Sequence, residues 1–104
     1  MQKLTEKNRN EDADVKPAVT VVLPGALVTL FPGATTHLAV EAETVEDILR
    51  ELDRRWPGMR DRLRDERPSI RKHINIFVDG RRATLDTPLR NNSQVYVLTA
   101  MSGG

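Results

Sequence analysis

At 104 residues with no cysteine, the chain has the length of one domain, and disulfides, thiolate metal sites, iron–sulfur clusters and a cysteine nucleophile are excluded. Sixteen Lys and Arg offset fifteen Asp and Glu for a net charge of +1, which argues against a general nucleic-acid binder or a membrane-surface protein. The N-terminus lacks the apolar run of a signal peptide and no stretch reaches the length of a membrane span, so the chain reads as soluble and cytoplasmic.

Met1 to Lys16 interleaves acidic and basic residues, with Leu4 nearly its only large apolar side chain. Such a segment cannot bury enough surface to offset its ordering cost, so residues 1–17 read as a disordered arm. Ala18 to Leu23 is apolar at nearly every position, the pattern of a central strand. Pro24-Gly25 breaks it, and Ala26 to Phe31 is apolar but ambiguous in type. Thr35 to Ala42 has strand composition, with Leu38 and Val40 on one face, and is expected to pair with the first strand across a wide loop.

Thr44 opens the one long helix. Its hydroxyl is placed to cap the backbone N–H of Asp47, whose carboxylate can reach back in the manner of a capping box. Glu46 and Asp47 sit at the positive end of the helix dipole. Val45, Ile48, Leu49, Leu52 and Trp56 share one face at helical spacing and read as core, while Arg50, Glu51, Asp53 and Arg54 share the other. Pro57-Gly58 ends the helix. Met59 to Glu66 reads as a short second helix with Met59 and Leu63 inward, ended by Pro68.

Ile70 to Val78 returns to strand, with Ile74, Ile76 and Val78 on one face and His73, Asn75 and Phe77 on the other. Asp79-Gly80 is a two-residue hairpin signal, and Arg82 to Leu85 a short return strand. Thr87-Pro88-Leu89 is a loop that buries Leu89. The polar turn Arg90-Asn91-Asn92-Ser93 then leads into a last strand around Val95-Tyr96-Val97-Leu98. The order is strand, strand, helix, strand, short strand, strand. One helix covers one face of a mixed sheet and leaves the other face to solvent or a partner. With the first and last strands parallel at the centre, this is an α+β fold of β-grasp (ubiquitin-like) architecture, a mixed sheet of about five strands, expected over residues 18–100.

Residues 101–104, Met101-Ser102-Gly103-Gly104, read as a flexible tail. A glycine pair ends a sheet poorly, because glycine gives up the most backbone freedom and has no side chain to bury. It suits a segment threaded through a narrow slot. Fully extended, four residues reach roughly 13–14 Å, enough to carry a terminal carboxylate into a partner's active site. The alternative for Gly103-Gly104 is a cloning scar or a frayed end.

Other chemical candidates are weak. His37 and His73 are far apart, and no carboxylate pattern marks them as metal ligands, so no metal site is expected. Ser102-Gly103-Gly104 lacks the strand–turn–helix context of a nucleophile elbow, and there is no phosphate-binding loop. The arginines between Trp56 and Lys72 alternate with Asp61, Asp65 and Glu66 and read as solvated charge. Phe77, which alternates away from Ile76 and Val78, is the candidate partner contact on the face opposite the helix. Its alternative is packing under a loop.

Three blocks carry a resemblance: the helix opening Thr44-Val45-Glu46-Asp47-Ile48-Leu49, the strand and turn Ile74-Asn75-Ile76-Phe77-Val78-Asp79-Gly80, and the closing run of Leu89, Val95-Tyr96-Val97 and Gly103-Gly104. In this order they resemble the ubiquitin-like sulfur carriers of the MoaD/ThiS family, over Ala18 to Gly104. The arginine-rich stretch from Trp56 to Lys72 most resembles the carriers that serve cysteine synthesis. Two departures stand out. Asn91-Asn92-Ser93 replaces the family's frequent Asp-Gly-Asp turn, and Thr99-Ala100-Met101 stands where a proline often precedes the tail.

The resemblance implies a protein cosubstrate and not an enzyme, with no bound cofactor. The Gly104 carboxylate would be adenylated by an ATP-dependent enzyme of the ubiquitin-activating type and converted to a thiocarboxylate. Gly103, Ser102 and Met101 would thread the tail. The acceptor synthase would be of the cysteine synthase, molybdopterin synthase large subunit or thiazole synthase type, with no role for nucleic acid or membrane. A ubiquitin-like modifier joining Gly104 to lysines, or a non-covalent β-grasp interaction domain, are the alternatives.

Overall fold

The computed structural model describes residues 15–66 and 69–99. In chain order the elements are β1 (Ala18–Val22), α1 (Gly25–Val28), β2 (His37–Glu41), α2 (Val45–Arg55), α3 (Met59–Leu63), β3 (Ile74–Val78), β4 (Arg81–Arg82) and β5 (Gln94–Thr99). The five strands form one sheet in the order β2-β1-β5-β3-β4. β1 and β5 are parallel neighbours at its centre, and β2, β3 and β4 join by antiparallel pairing. This is the mixed β-grasp sheet expected from the pattern.

α2 forms because its start and its stripe agree. Thr44 Oγ1 accepts the Asp47 N–H at 3.3 Å, and the Asp47 carboxylate accepts the N–H of Glu43 at 3.1 Å, one residue earlier than a capping box places it. Val45, Ile48, Leu49 and Leu52 are fully buried, and Trp56 packs at the rim of the same cluster. Burying a side chain such as Leu49 or Leu52 contributes roughly 1.5–3 kcal/mol. The chain then turns at Gly58, whose φ of 99° lies in the left-handed region. α3 starts without a capping side chain of its own. Asp53, on α2, supplies one: its Oδ1 accepts the N–H groups of Gly58 and Arg60 at 3.0 and 3.1 Å. α3 then buries Met59 and Leu63, as expected.

The core lies between these helices and one face of the sheet, which presents Val19, Val21, Val40, Ile76, Val78, Val95 and Val97. Four sequence boundaries shift. The ambiguous run Ala26–Phe31 holds the short helix α1, which buries Leu27. α3 stops at Leu63 and not at Glu66, because Arg64 is extended and bridges Ile70. The same bridge, with the Arg71 N–H bonded to Leu63 O, occupies residues 70–71, so β3 begins only at Ile74. β4 ends at Arg82 because Ala83 and Leu85 both turn into the core. Pro17, counted with the arm, accepts the Ala42 N–H at 3.0 Å; residues 1–14 of that arm lie outside the described residues.

Candidate functional site

Strand alternation sends every second residue to the uncovered face. On β5 those residues are Gln94, Tyr96 and Leu98; Tyr96 and Leu98 are each 44% exposed while Val95 and Val97 are fully buried. The registers line up one row across all five strands: His37 on β2, Val22 on β1, Tyr96 on β5, Phe77 on β3 and Arg82 on β4. Leu98 stands one step further along β5, opposite Asn75. The Arg82 guanidinium donates to Asn75 Oδ1, which holds that cation beside the apolar row. Val22 and Phe77 are half-buried. Phe77 thus sits on the face opposite the helices, flanked in register by Tyr96 and Arg82, and it is not among the residues packed on the core.

Tyr96, Leu98 and Arg82 were not singled out from sequence. The signal was available: Gln94 to Thr99 alternates, and assigning Val95 and Val97 inward obliges Tyr96 and Leu98 outward.

β5 points along this face toward the C-terminus, and its entry is pinned. Asp79 and Gly80 both take positive φ, 50° and 86°, the geometry of a tight primed hairpin turn. That turn aims the Asp79 carboxylate at the start of β5. It accepts the Gln94 N–H at 2.9 Å and the Ser93 hydroxyl at 3.0 Å. These two bonds, the Gln94 one first, hold the Asp79 carboxyl below the usual carboxylate range, with a smaller contribution from the Arg90 charge. Ser93 is buried, and its Oγ also accepts the Arg90 N–H at 3.0 Å. Asn92 adopts φ 72°, and Asn91 Oδ1 accepts the Ala18 N–H at 3.0 Å. The Asn-Asn-Ser turn therefore meets the left-handed requirement by itself and also ties β5 to β1.

Met101, Ser102, Gly103 and Gly104, the tail residues read from sequence, lie outside the described residues. His37 is exposed, with Nδ1 at 3.1 Å from Thr36 Oγ1, and His73 is exposed in the turn before β3. Among the described residues no group of three or more His, Asp or Glu side chains is placed to hold a metal ion, and no helix is long and apolar enough to cross a membrane. Several arginines are spent internally: Arg64 reaches Glu46 at 3.4 Å and Arg71 Nε donates to Asp61 O at 2.7 Å.

A five-stranded mixed sheet, parallel at its centre and covered by helices on one face, defines a ubiquitin-like β-grasp domain. The ThiS family model matches residues 21–104, and the chain belongs to the ThiS family. Among solved structures, the chain is similar to one in the crystal structure of the Amycolatopsis orientalis BexX/CysO complex, at 26% identity and TM-score 0.74, covering 83% of this chain and 99% of that one. It shares its fold with Mycobacterium tuberculosis CysO, at 22% identity and TM-score 0.73 over 80% and 99% of the two chains. It shares it also with SAMP1 from Haloferax volcanii, at 21% identity and TM-score 0.69 over 84% and 99%. No curated protein matches it in sequence. Membership of the ThiS family makes the chain a small ubiquitin-like carrier protein.

Proposed function

We propose that the chain is a sulfur carrier whose reactive group is the α-carboxylate of Gly104. A carboxylate is a poor acyl donor, since its charge is delocalised and its leaving group would be oxide. In this reading an ATP-dependent partner of the ubiquitin-activating type attaches AMP to the carboxylate and releases pyrophosphate. A sulfur donor then displaces AMP, leaving a thiocarboxylate. ATP belongs to the partner, and the chain itself holds no cofactor. Gly103 and Gly104 add no Cβ bulk, so partner backbone can close around Met101 to Gly104 and exclude water from a hydrolysable adenylate.

The observation that supports this reading most is the row Val22–Tyr96–Phe77, with Leu98 beyond it. It is an apolar strip on the uncovered face that crosses β5, the strand that leads into the glycine tail. A partner seated on that strip receives the tail at its active site. Membership of the ThiS family supports the same reading. The A. orientalis structure is a complex of BexX with CysO, and a complex with a second protein is the arrangement proposed here. The acceptor is a synthase of the cysteine, molybdopterin or thiazole type, with the cysteine branch first.

The test is intact mass after incubation with a cognate adenylating enzyme, ATP and a sulfur donor. Replacement of one carboxyl oxygen by sulfur is expected. Gly103→Val should impair that exchange while the circular dichroism spectrum stays unchanged; normal thiocarboxylation of the variant would remove the narrow-slot argument. A second reading shares the activation step and transfers Gly104 to a lysine. It is kept because the fold is shared with a protein named as a small archaeal modifier. Lysine-linked conjugates in the same assay would decide for it. An unchanged mass under every condition would leave a non-covalent interaction domain.

A further inference from the structure

The sheet has two edges of different character. β4 is two arginines long, while β2 runs five residues, His37-Leu38-Ala39-Val40-Glu41, with no Lys or Pro to blunt it. The direction of its backbone groups follows from the ladder. Ala42 N–H donates to Pro17 O and Leu23 N–H to Thr36 O, so Thr36, Leu38, Val40 and Ala42 turn toward β1. His37, Ala39 and Glu41 therefore turn their N–H and C=O groups outward.

Two of those three outward carbonyls are already occupied. Thr35 Oγ1 donates to His37 O at 3.1 Å. Arg55 Nη2 crosses from the end of α2 and donates to Ala39 O at 3.4 Å. Arg55 is aimed there by Glu51, whose Oε2 lies 2.8 Å from Arg55 Nε. Hydrogen bonds from Arg54 and then Arg55 lower the Glu51 pKa to about 2, so the carboxylate stays charged through the neutral range.

The same strand is complementary to itself. An antiparallel pairing of two copies about a twofold through Ala39 sets Ala39 opposite Ala39, Leu38 opposite Val40 and His37 opposite Glu41. The outward backbone groups of residues 37, 39 and 41 then meet each other, as a hydrogen-bonded register requires. An imidazole faces a carboxylate at both ends, and small side chains meet at the axis. The central pair of bonds needs Ala39 O, the atom that Arg55 holds.

We infer that β2 is a self-pairing edge held shut chiefly by Arg55: the occupant it fits is β2 of a second copy, and at the twofold axis the Arg55 latch and the dimer compete for the Ala39 carbonyl oxygen. Sedimentation equilibrium on the full chain tests this, with circular dichroism as the control for folding. Arg55→Met keeps the aliphatic stem and removes the donors. It should self-associate about tenfold more tightly than the parent, because each dimer releases two latches, each worth a few-fold. Adding Ala39→Pro, which deletes the outward N–H at the axis, should abolish the gain. Glu51→Gln loosens Arg55 without touching β2 and should shift association in the same direction by less; it carries the test if Arg55→Met does not fold. A folded Arg55→Met no tighter than the parent overturns the inference, as does a gain that survives Ala39→Pro.

Discussion

The two faces of the sheet are made by the same strands and differ in almost everything else. On one face Val21, Val95 and Val97 are fully buried under α2 and α3. One residue along, Val22, Tyr96 and Leu98 belong to a face over which no helix of the described residues lies. The buried face is aliphatic and β-branched, and its work is finished when the domain folds. The open face carries two aromatic rings, a leucine and a tethered arginine, which is the composition that partner surfaces favour. A register slip of one residue would exchange the two sets, so the turns that fix register protect the site as well as the fold.

That contrast can be broken at several points. Leu52→Asp, on the covered side, should have the largest effect. It forfeits at least the ~2–5 kcal/mol of a core leucine truncation and buries a carboxylate as well, so far-UV circular dichroism should show an unfolded chain. Ser93→Ala comes next. It leaves the Arg90 N–H and the Asp79 carboxylate short of a partner and should cost about 1–3 kcal/mol in urea denaturation. On the open side, Tyr96→Ala should change stability by less than about 1 kcal/mol yet weaken activation by the partner about tenfold. Equal losses of stability and activation would mean that the open face is structural after all. The smallest effect concerns acid. Hydrogen bonds from Arg54 and then Arg55 hold the Glu51 carboxyl at about 2 in the folded chain, below its ordinary value of 4.5. A lowered folded pKa gives stability that is present above pH 4.5 and drains away as pH falls toward 2. Glu51→Gln should flatten that part of a pH-dependent unfolding profile, by no more than the ~1 kcal/mol of an exposed pair.

Much of the covered face was legible in the sequence because its signals are redundant. Thr44, the Val45–Ile48–Leu49–Leu52 stripe and Pro57-Gly58 all mark one helix, and Asp79-Gly80 fixes one hairpin. The misplaced boundaries share a cause. Arg64 with Ile70, and Ala83 with Leu85, take their conformations from tertiary contacts that local pattern does not report. Ala26–Phe31 is too short an apolar run for periodicity to separate helix from strand. On the open face alternation places Phe77, whereas the reading of the last strand around Val95-Tyr96-Val97-Leu98 assigns Tyr96 and Leu98 to neither face. Arg82 matters because it lies in register with Phe77 and bonds Asn75, a pairing across a turn that no spacing rule contains.

The parallel contact between β1 and β5 joins the earliest strand of the domain to the latest. On the ribosome, β1 and β2 emerge as a lone hairpin with Val19 and Val21 uncovered, and the seat beside β1 stays empty until nearly the whole domain has been made. Assembly of this domain therefore waits for its last strand, and until β5 emerges the nascent chain offers an apolar strand edge to chaperones or to neighbouring ribosomes.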